Sequence, residues 1–148
     1  MKTLICSLLG LSLMACAACA FADSSGTQTF GRYLVHYSAL STQLLNEQMA
    51  KQYSIERSPK RGLINLSVQK VAADETTSAV AATISGEATN LTGQKTPITI
   101  REIPDLYVSY IGLFDVVAPD TYTFALTIKP EGSDQILSLR FNKNFVAE

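Results

Sequence analysis

The sequence predicts a mainly β protein, an immunoglobulin-like sandwich of two antiparallel sheets with about seven strands and one short helix between the first two strands. Apolar and polar residues alternate with a period of two along most of the chain, as in strands that bury one face. Proline, glycine and aspartate separate the alternating segments at short intervals. The chain has 148 residues, of which 47% are hydrophobic, which suits one packed domain. A β-barrel is the alternative, because the same alternation would suit it.

Residues 1–22 carry the three parts of a secretory signal peptide. Lys2 provides the positive charge, and residues 4–15 form an apolar stretch shorter than the roughly 20 residues of a membrane span. Residues 20–22 read Ala-Phe-Ala, which is a cleavage site of the A-x-A kind. We therefore expect export to the periplasm, a mature chain that begins at Asp23, and no transmembrane span in that mature chain.

The three cysteines all lie in this N-terminal segment. Cleavage before Asp23 leaves a chain without a thiol, and therefore without disulfides, thiolate zinc ligands or a cysteine nucleophile. Lipidation is the alternative, because residues 13–16 resemble a bacterial lipobox that would make Cys16 the acylated first residue of an outer-membrane lipoprotein. We prefer cleavage before Asp23, since Met14 is uncommon in a lipobox and the A-x-A site is the better match.

The mature chain is expected to begin with a flexible lead-in over residues 23–29, which are small and polar, and to continue as a single sandwich domain over residues 30–148. The alternating segments that predict its strands are residues 30–39, 63–70, 78–90, 96–103, 106–116, 121–129 and 136–146. Alternation is clearest in the sixth, where Tyr122, Phe124 and Leu126 share the face expected to lie in the core.

The start of the sixth segment also resembles a tyrosine corner, a turn found in immunoglobulin-like sandwiches. In that arrangement the hydroxyl of Tyr122 would form a hydrogen bond with nearby backbone, and Phe124 would point into the core. An ordinary inward-facing tyrosine on an amphipathic strand is the alternative interpretation.

Residues 41–55 break the strand pattern. The bulky residues Leu45, Met49, Gln52 and Tyr53 follow one another at the spacing of a helical face. Asn46 suits the N-cap position, and Glu47 would lie in the first turn, near the positive end of the helix dipole. This segment therefore predicts the short helix between the first two strands.

Composition and motifs exclude several classes of function. Lys plus Arg number 12 and Asp plus Glu number 13, which argues against binding to nucleic acid. The chain has one histidine, scattered acidic residues and no glycine-rich phosphate loop. We therefore assign no catalytic residue, no metal ligand and no cofactor.

Two groups of residues are candidates for binding. Arg57, Lys60 and Arg61 surround a Pro-Gly turn and could hold a small anionic ligand. We prefer the alternative, a solvated loop or an arginine cap on exposed carbonyls, because short charge runs are common on protein surfaces. His36 could join the three basic residues with Tyr37 in an anionic-ligand site or an enzyme. We prefer a structural role for His36, as a partly exposed, hydrogen-bonded histidine.

Several strings together resemble a known family. They are Gly31-Arg32-Tyr33-Leu34-Val35-His36-Tyr37, Ile55-Glu56-Arg57-Ser58, Arg61-Gly62-Leu63-Ile64-Asn65-Leu66-Ser67-Val68 and Gly86-Glu87-Ala88-Thr89-Asn90-Leu91. In this order they are similar to the exported proteobacterial family catalogued as domain of unknown function 4426. The resemblance implies an immunoglobulin-type sandwich of a secreted Gram-negative protein, with no established activity or cofactor. It also implies two family motifs, one with Arg57, Ser58, Arg61 and Asn65, the other with Tyr33, His36 and Tyr37.

These observations favour a non-enzymatic binding or interaction module of the periplasm. Its partner would be a periplasmic protein or a small anionic ligand, and a sheet edge could receive an extended segment of a protein partner. The candidate binding residues are Arg57, Ser58, Lys60, Arg61, Asn65, His36 and Tyr37.

Overall fold

The computed structural model describes residues 25–103 and 107–146. The predicted signal peptide and Cys16 lie outside these ranges. The strands are β1 (Ser25–Phe30), β2 (Tyr33–Ser41), β3 (Arg61–Val71), β4 (Thr77–Ala79), β5 (Ala82–Thr89), β6 (Lys95–Pro97), β7 (Thr99–Ile103), β8 (Ser109–Asp115), β9 (Asp120–Pro130) and β10 (Leu137–Phe145). A 3₁₀ turn (Thr42–Leu44) and helix α1 (Glu47–Gln52) connect β2 to β3. No helix in the two described ranges is long and apolar enough to cross a membrane.

The strands form two antiparallel sheets, and the predicted two-sheet sandwich is therefore confirmed. The six-stranded sheet has the order β1-β2-β3-β8-β7, with β4 paired to the end of β3, and the four-stranded sheet has the order β10-β9-β5-β6. The chain changes sheet between β4 and β5, between β6 and β7, and between β8 and β9. These crossings separate strands that are consecutive in the sequence and wrap the chain around the core between the sheets.

The structure has more strands than the sequence predicts, because the chain changes sheet inside two of the predicted segments. Segment 78–90 divides into β4 and β5, and segment 96–103 divides into β6 and β7. The flexible lead-in expected at 23–29 was wrong from Ser25 onward. Those residues form β1, which pairs with β2 from Ser25 opposite Ser38 to Phe30 opposite Tyr33. Backbone hydrogen bonding to a neighbouring strand supports β1 although its side chains are mostly polar.

The main core lies between the sheets and contains the inward-facing residues that the alternation predicts. Phe124 is fully buried at its centre. Its ring stacks on Phe141 with centroids 4.8 Å apart and meets Phe114 edge-on at 5.1 Å. A hydrogen bond of 2.7 Å from the Ala82 backbone N–H to the Tyr110 hydroxyl joins the two sheets, and burial raises the pKa of that hydroxyl.

The predicted tyrosine corner is confirmed. The backbone N–H of Val117 donates to the Tyr122 hydroxyl at 2.9 Å, and Tyr122 is buried. The bond spans five residues and holds the β8–β9 connection against the start of β9.

The predicted helix and its cap are confirmed, but its predicted buried face is only partly right. The side chain of Asn46 accepts a hydrogen bond from the Met49 N–H at 2.7 Å. Leu45 is buried, whereas Met49 is 44% exposed and Ala50 is buried in its place. The helix is only six residues long and Leu45 precedes its cap, so helical spacing does not extend back to Leu45.

A second, smaller core lies on the outer face of the six-stranded sheet, beneath α1. It contains Leu45, Ala50, Ile55, Leu63, Ile103 and Ile111. Leu63 and Ile111 therefore break the polar-out alternation of β3 and β8 because the helix segment covers them. This packing brings the 3₁₀ turn and the chain after α1 to one end of the sandwich.

Candidate functional site

The basic turn that follows α1 is attached to the sandwich through the backbone of Ser58. The hydroxyl of Thr42, which is fully buried, accepts from the Ser58 N–H at 3.0 Å and donates to the Ser58 carbonyl at 3.2 Å. The Ser41 hydroxyl donates to the same carbonyl at 3.4 Å. The Ser58 hydroxyl itself accepts from the Lys60 N–H at 3.2 Å and shapes the turn. Ser58 therefore serves as a structural anchor between β2 and the turn.

Both arginines of the turn contact the protein itself. Arg57 donates from Nη2 to the Gln43 carbonyl at 3.0 Å, and its Nη1 lies 3.7 Å from Glu47 Oε1. Arg61 Nη2 lies 3.7 Å from Asp115 Oδ1, on the strand paired with β3. Exposed ion pairs of this kind contribute little to stability. The contact of Arg57 with a carbonyl of the 3₁₀ turn agrees with the alternative in which an arginine of this turn caps exposed carbonyls.

Gly62, the last residue of the Arg-Ser-Pro-Lys-Arg-Gly turn, lies against an aromatic ring of the neighbouring strand. A Cβ at this position would lie 2.2 Å from the ring of Phe114, directly across from it on β8. Only glycine lets that ring pack against the β3 backbone. The close approach of the Phe114 ring therefore explains why residue 62 is a glycine.

His36 and Tyr37 are adjacent on β2 and therefore face opposite sides of the six-stranded sheet. With the ring proton assigned to Nε2, His36 donates to Gln69 Oε1 at 3.2 Å and accepts from the Thr27 hydroxyl at Nδ1 at 2.7 Å. Tyr37 is buried in the main core, where it stacks on Phe141 with centroids 4.5 Å apart. These contacts match the structural role preferred for His36.

The structure does not bring the sequence candidates together. His36 is opposite Ser67 on β3, and Arg61 is six residues further along that strand, which corresponds to about 20 Å. Asn65 is exposed on the outer face of β3, where it lines a hollow of about 400 Å³ with Tyr107. A site that combined His36, Tyr37 and the two arginines would need groups on both faces of one sheet.

Among the sequence candidates, Lys60 lies at a groove at one end of the sandwich. A groove of about 500 Å³ opens at this end of the sandwich, and we call it the end groove. Its walls are the 3₁₀ turn, the basic turn, the β8–β9 connection and the end of β10. The residues that line it are Ser41, Gln43, Leu44, Pro59, Lys60, Val116, Val117, Ala118, Lys143, Asn144, Phe145 and Val146.

Sequence reasoning missed most of the end groove because its walls are distant in the chain. A signal was nevertheless present. Leu44, Val117 and Val146 each follow or precede a buried apolar neighbour, so each is the exposed member of an apolar pair where alternation expects a polar residue. Within the described residues, no cluster of three or more His, Cys, Asp or Glu could hold a metal ion.

Comparison with known proteins identifies the family. The model of a family described as Domain of unknown function (DUF4426) matches residues 27–148. This chain belongs to the DUF4426 family. Among curated proteins, none matches it. The DUF4426 chain is similar to the crystal structure of a DUF4426 family protein from Pseudomonas aeruginosa PAO1, with a TM-score of 0.71 and 23% identity over 84% of this chain and 97% of that one. At this identity the likeness shows a shared sandwich fold.

Proposed function

We propose that this DUF4426 chain is an exported, non-enzymatic interaction module of the periplasm, which binds an extended segment of a partner protein along strand β10. The observation that carries the proposal is the free edge of that strand. β10 pairs with β9 over all nine of its residues, and no strand of the described residues pairs with its other edge. Unpaired backbone N–H and C=O groups of such an edge can receive a further strand.

Within the described part of the chain, β10 is the longest of the strands that end a sheet. The others are β1 with six residues, β7 with five and β6 with three. Leu137, Leu139 and Phe141 are buried, so the strand is held firmly in place. Ser138 and Arg140 are exposed on the outer face, and Arg140 favours a partner segment with an acidic side chain opposite it.

Site-specific photo-cross-linking in the native organism tests this proposal. The benzoylphenylalanine probe is placed at Ser138 on β10 and, as a control, at Ser85 on β5. Both side chains are exposed in the same cross-strand row of the four-stranded sheet, since Ser85 pairs with Thr127 and Thr127 with Ser138. The control lies two strands, or about 10 Å, further from the free edge. We expect a single protein adduct at Ser138 that is at least fivefold weaker at Ser85, and equal labelling at both positions would contradict binding at β10.

The proposed export makes a separate prediction about the N-terminus. Mass spectrometry of the protein recovered from the periplasmic fraction should give a chain that begins at Asp23, because the A-x-A site of residues 20–22 precedes it. An acylated Cys16 in the membrane fraction would instead support the lipoprotein alternative, and an intact Met1 in the cytoplasm would contradict export.

A further inference from the structure

We propose that the end groove is a binding site for a fatty-acid anion, with the alkyl chain on its apolar wall and the carboxylate at Lys60 and Lys143. This site is separate from the edge of β10 at Ser138, and the proposal goes beyond the interaction module described above.

The apolar wall is the first line of evidence. Leu44, Val117 and Val146 are 63%, 72% and 65% exposed, and all three line the end groove. They are three of the seven large hydrophobic side chains that are exposed among the described residues. A cluster of exposed apolar side chains around one concavity is typical of a binding site, whereas isolated ones are ordinary on a protein surface.

The positive charge of the end groove is the second line of evidence. Lys60 and Lys143 line the groove, and none of the described residues that line it is acidic. The chain as a whole has a formal net charge of −1, so this excess of positive charge is local. A lysine ammonium is a compact point charge that attracts a carboxylate, and its aliphatic stem extends the apolar surface. Charge complementarity therefore favours an anionic amphipath over a neutral apolar molecule.

The walls of the groove are held in place by hydrogen bonds within the protein. The Val116 N–H donates to the Lys60 carbonyl at 2.9 Å, which joins the basic turn to the β8–β9 connection. The tyrosine-corner bond from the Val117 N–H to Tyr122 fixes the other side of that connection. A preformed site loses less free energy to ordering when a ligand binds.

The size of the groove suits a small molecule. Its volume of about 500 Å³ lies within the roughly 300–1,000 Å³ of typical ligand sites. A stable protein partner would instead cover roughly 800 Å² on each side. A single alkyl chain with one anionic group matches the volume, the apolar wall and the two lysines together.

Calorimetric titration of the mature protein with decanoate, kept below its micelle concentration, tests the proposal. We expect saturable binding of one decanoate per chain, with an affinity that falls at least tenfold in Lys60→Gln/Lys143→Gln. The matched control is Lys51→Gln/Lys129→Gln, which removes the same charge from exposed positions outside the groove and should bind decanoate as the wild type does. Circular dichroism verifies that both double variants are folded.

Two further ligands separate the contributions of chain and charge. Decanol should bind the wild type at least tenfold more weakly than decanoate, and it should bind the double variants and the wild type equally. Inorganic phosphate, which has no alkyl chain, should not compete with decanoate. The proposal is overturned if decanoate does not bind, if both double variants lose the same affinity, or if phosphate displaces decanoate. Cross-linking at Ser138 is independent of all three results.

Discussion

Replacing Phe124 with alanine should lower the free energy of unfolding by about 3–5 kcal/mol, the largest effect that we expect from one substitution in this protein. Phe124 is fully buried, and its ring contacts both Phe141 and Phe114. Truncation removes the apolar surface of the ring from the core and leaves a cavity between the two sheets. It also removes both ring pairs, which contribute beyond the buried area alone.

Urea unfolding followed by circular dichroism measures this loss. The control is Phe30→Ala, which removes the same atoms from a half-buried ring on β1 at the margin of the main core. Phe30→Ala should lower the free energy of unfolding by clearly less, about 1–2 kcal/mol, because the Phe30 ring withdraws less apolar surface from water in the wild type. Equal losses in the two variants would contradict the central position of Phe124. A small domain has only about 5–15 kcal/mol of stability, so the Phe124 variant should be compared at low temperature.

Replacing Thr42 with valine should lower the free energy of unfolding by about 2 kcal/mol, although valine has nearly the same shape as threonine. The substitution removes the hydroxyl that bonds both the N–H and the carbonyl of Ser58. The carbonyl keeps the Ser41 hydroxyl and the Arg61 N–H as donors, whereas the Ser58 N–H loses its acceptor. A polar group that is left unpaired away from water accounts for most of the expected cost.

Thr42→Ser is the control for this variant because serine retains the hydroxyl and loses only a methyl group. Amide hydrogen exchange at Ser58 distinguishes a loss of stability caused by the missing hydrogen bonds from one caused by changed packing. Exchange at that amide should become much faster in Thr42→Val and remain slow in Thr42→Ser. Unchanged exchange in Thr42→Val would show that the hydroxyl does not hold the basic turn.

Most residues of the Arg-Ser-Pro-Lys-Arg-Gly turn contribute to the fold of the protein. Arg57, Ser58 and Gly62 each have a partner within the protein that explains their residue type. Lys60 has an exposed side chain that lines the end groove. The basic turn is therefore mainly a structural corner of the fold. Its residue Lys60 contributes to the proposed binding site in the end groove.

Features whose partners lie close in the chain could be predicted from the sequence. The Asn46 cap spans three residues and the tyrosine corner spans five, and both are present as expected. The inward positions of β2, β9 and β10 follow from strict alternation, which depends only on strand geometry. The end groove could not be predicted in this way, because Leu44, Lys60, Val117 and Lys143 come from four separate segments.

Local pattern by itself determined the class of the fold and which side of most strands faces the core, since side-chain direction in a strand reverses at every residue whatever the strand pairs with. Only the tertiary structure decided that Ser25–Phe30 is a strand, because the hydrogen bonds that hold it come from β2. It also decided where two predicted strands change sheet and which exposed apolar residues meet the two lysines at one end of the sandwich. Such arrangements depend on contacts between distant segments, whose energies no single stretch of sequence contains.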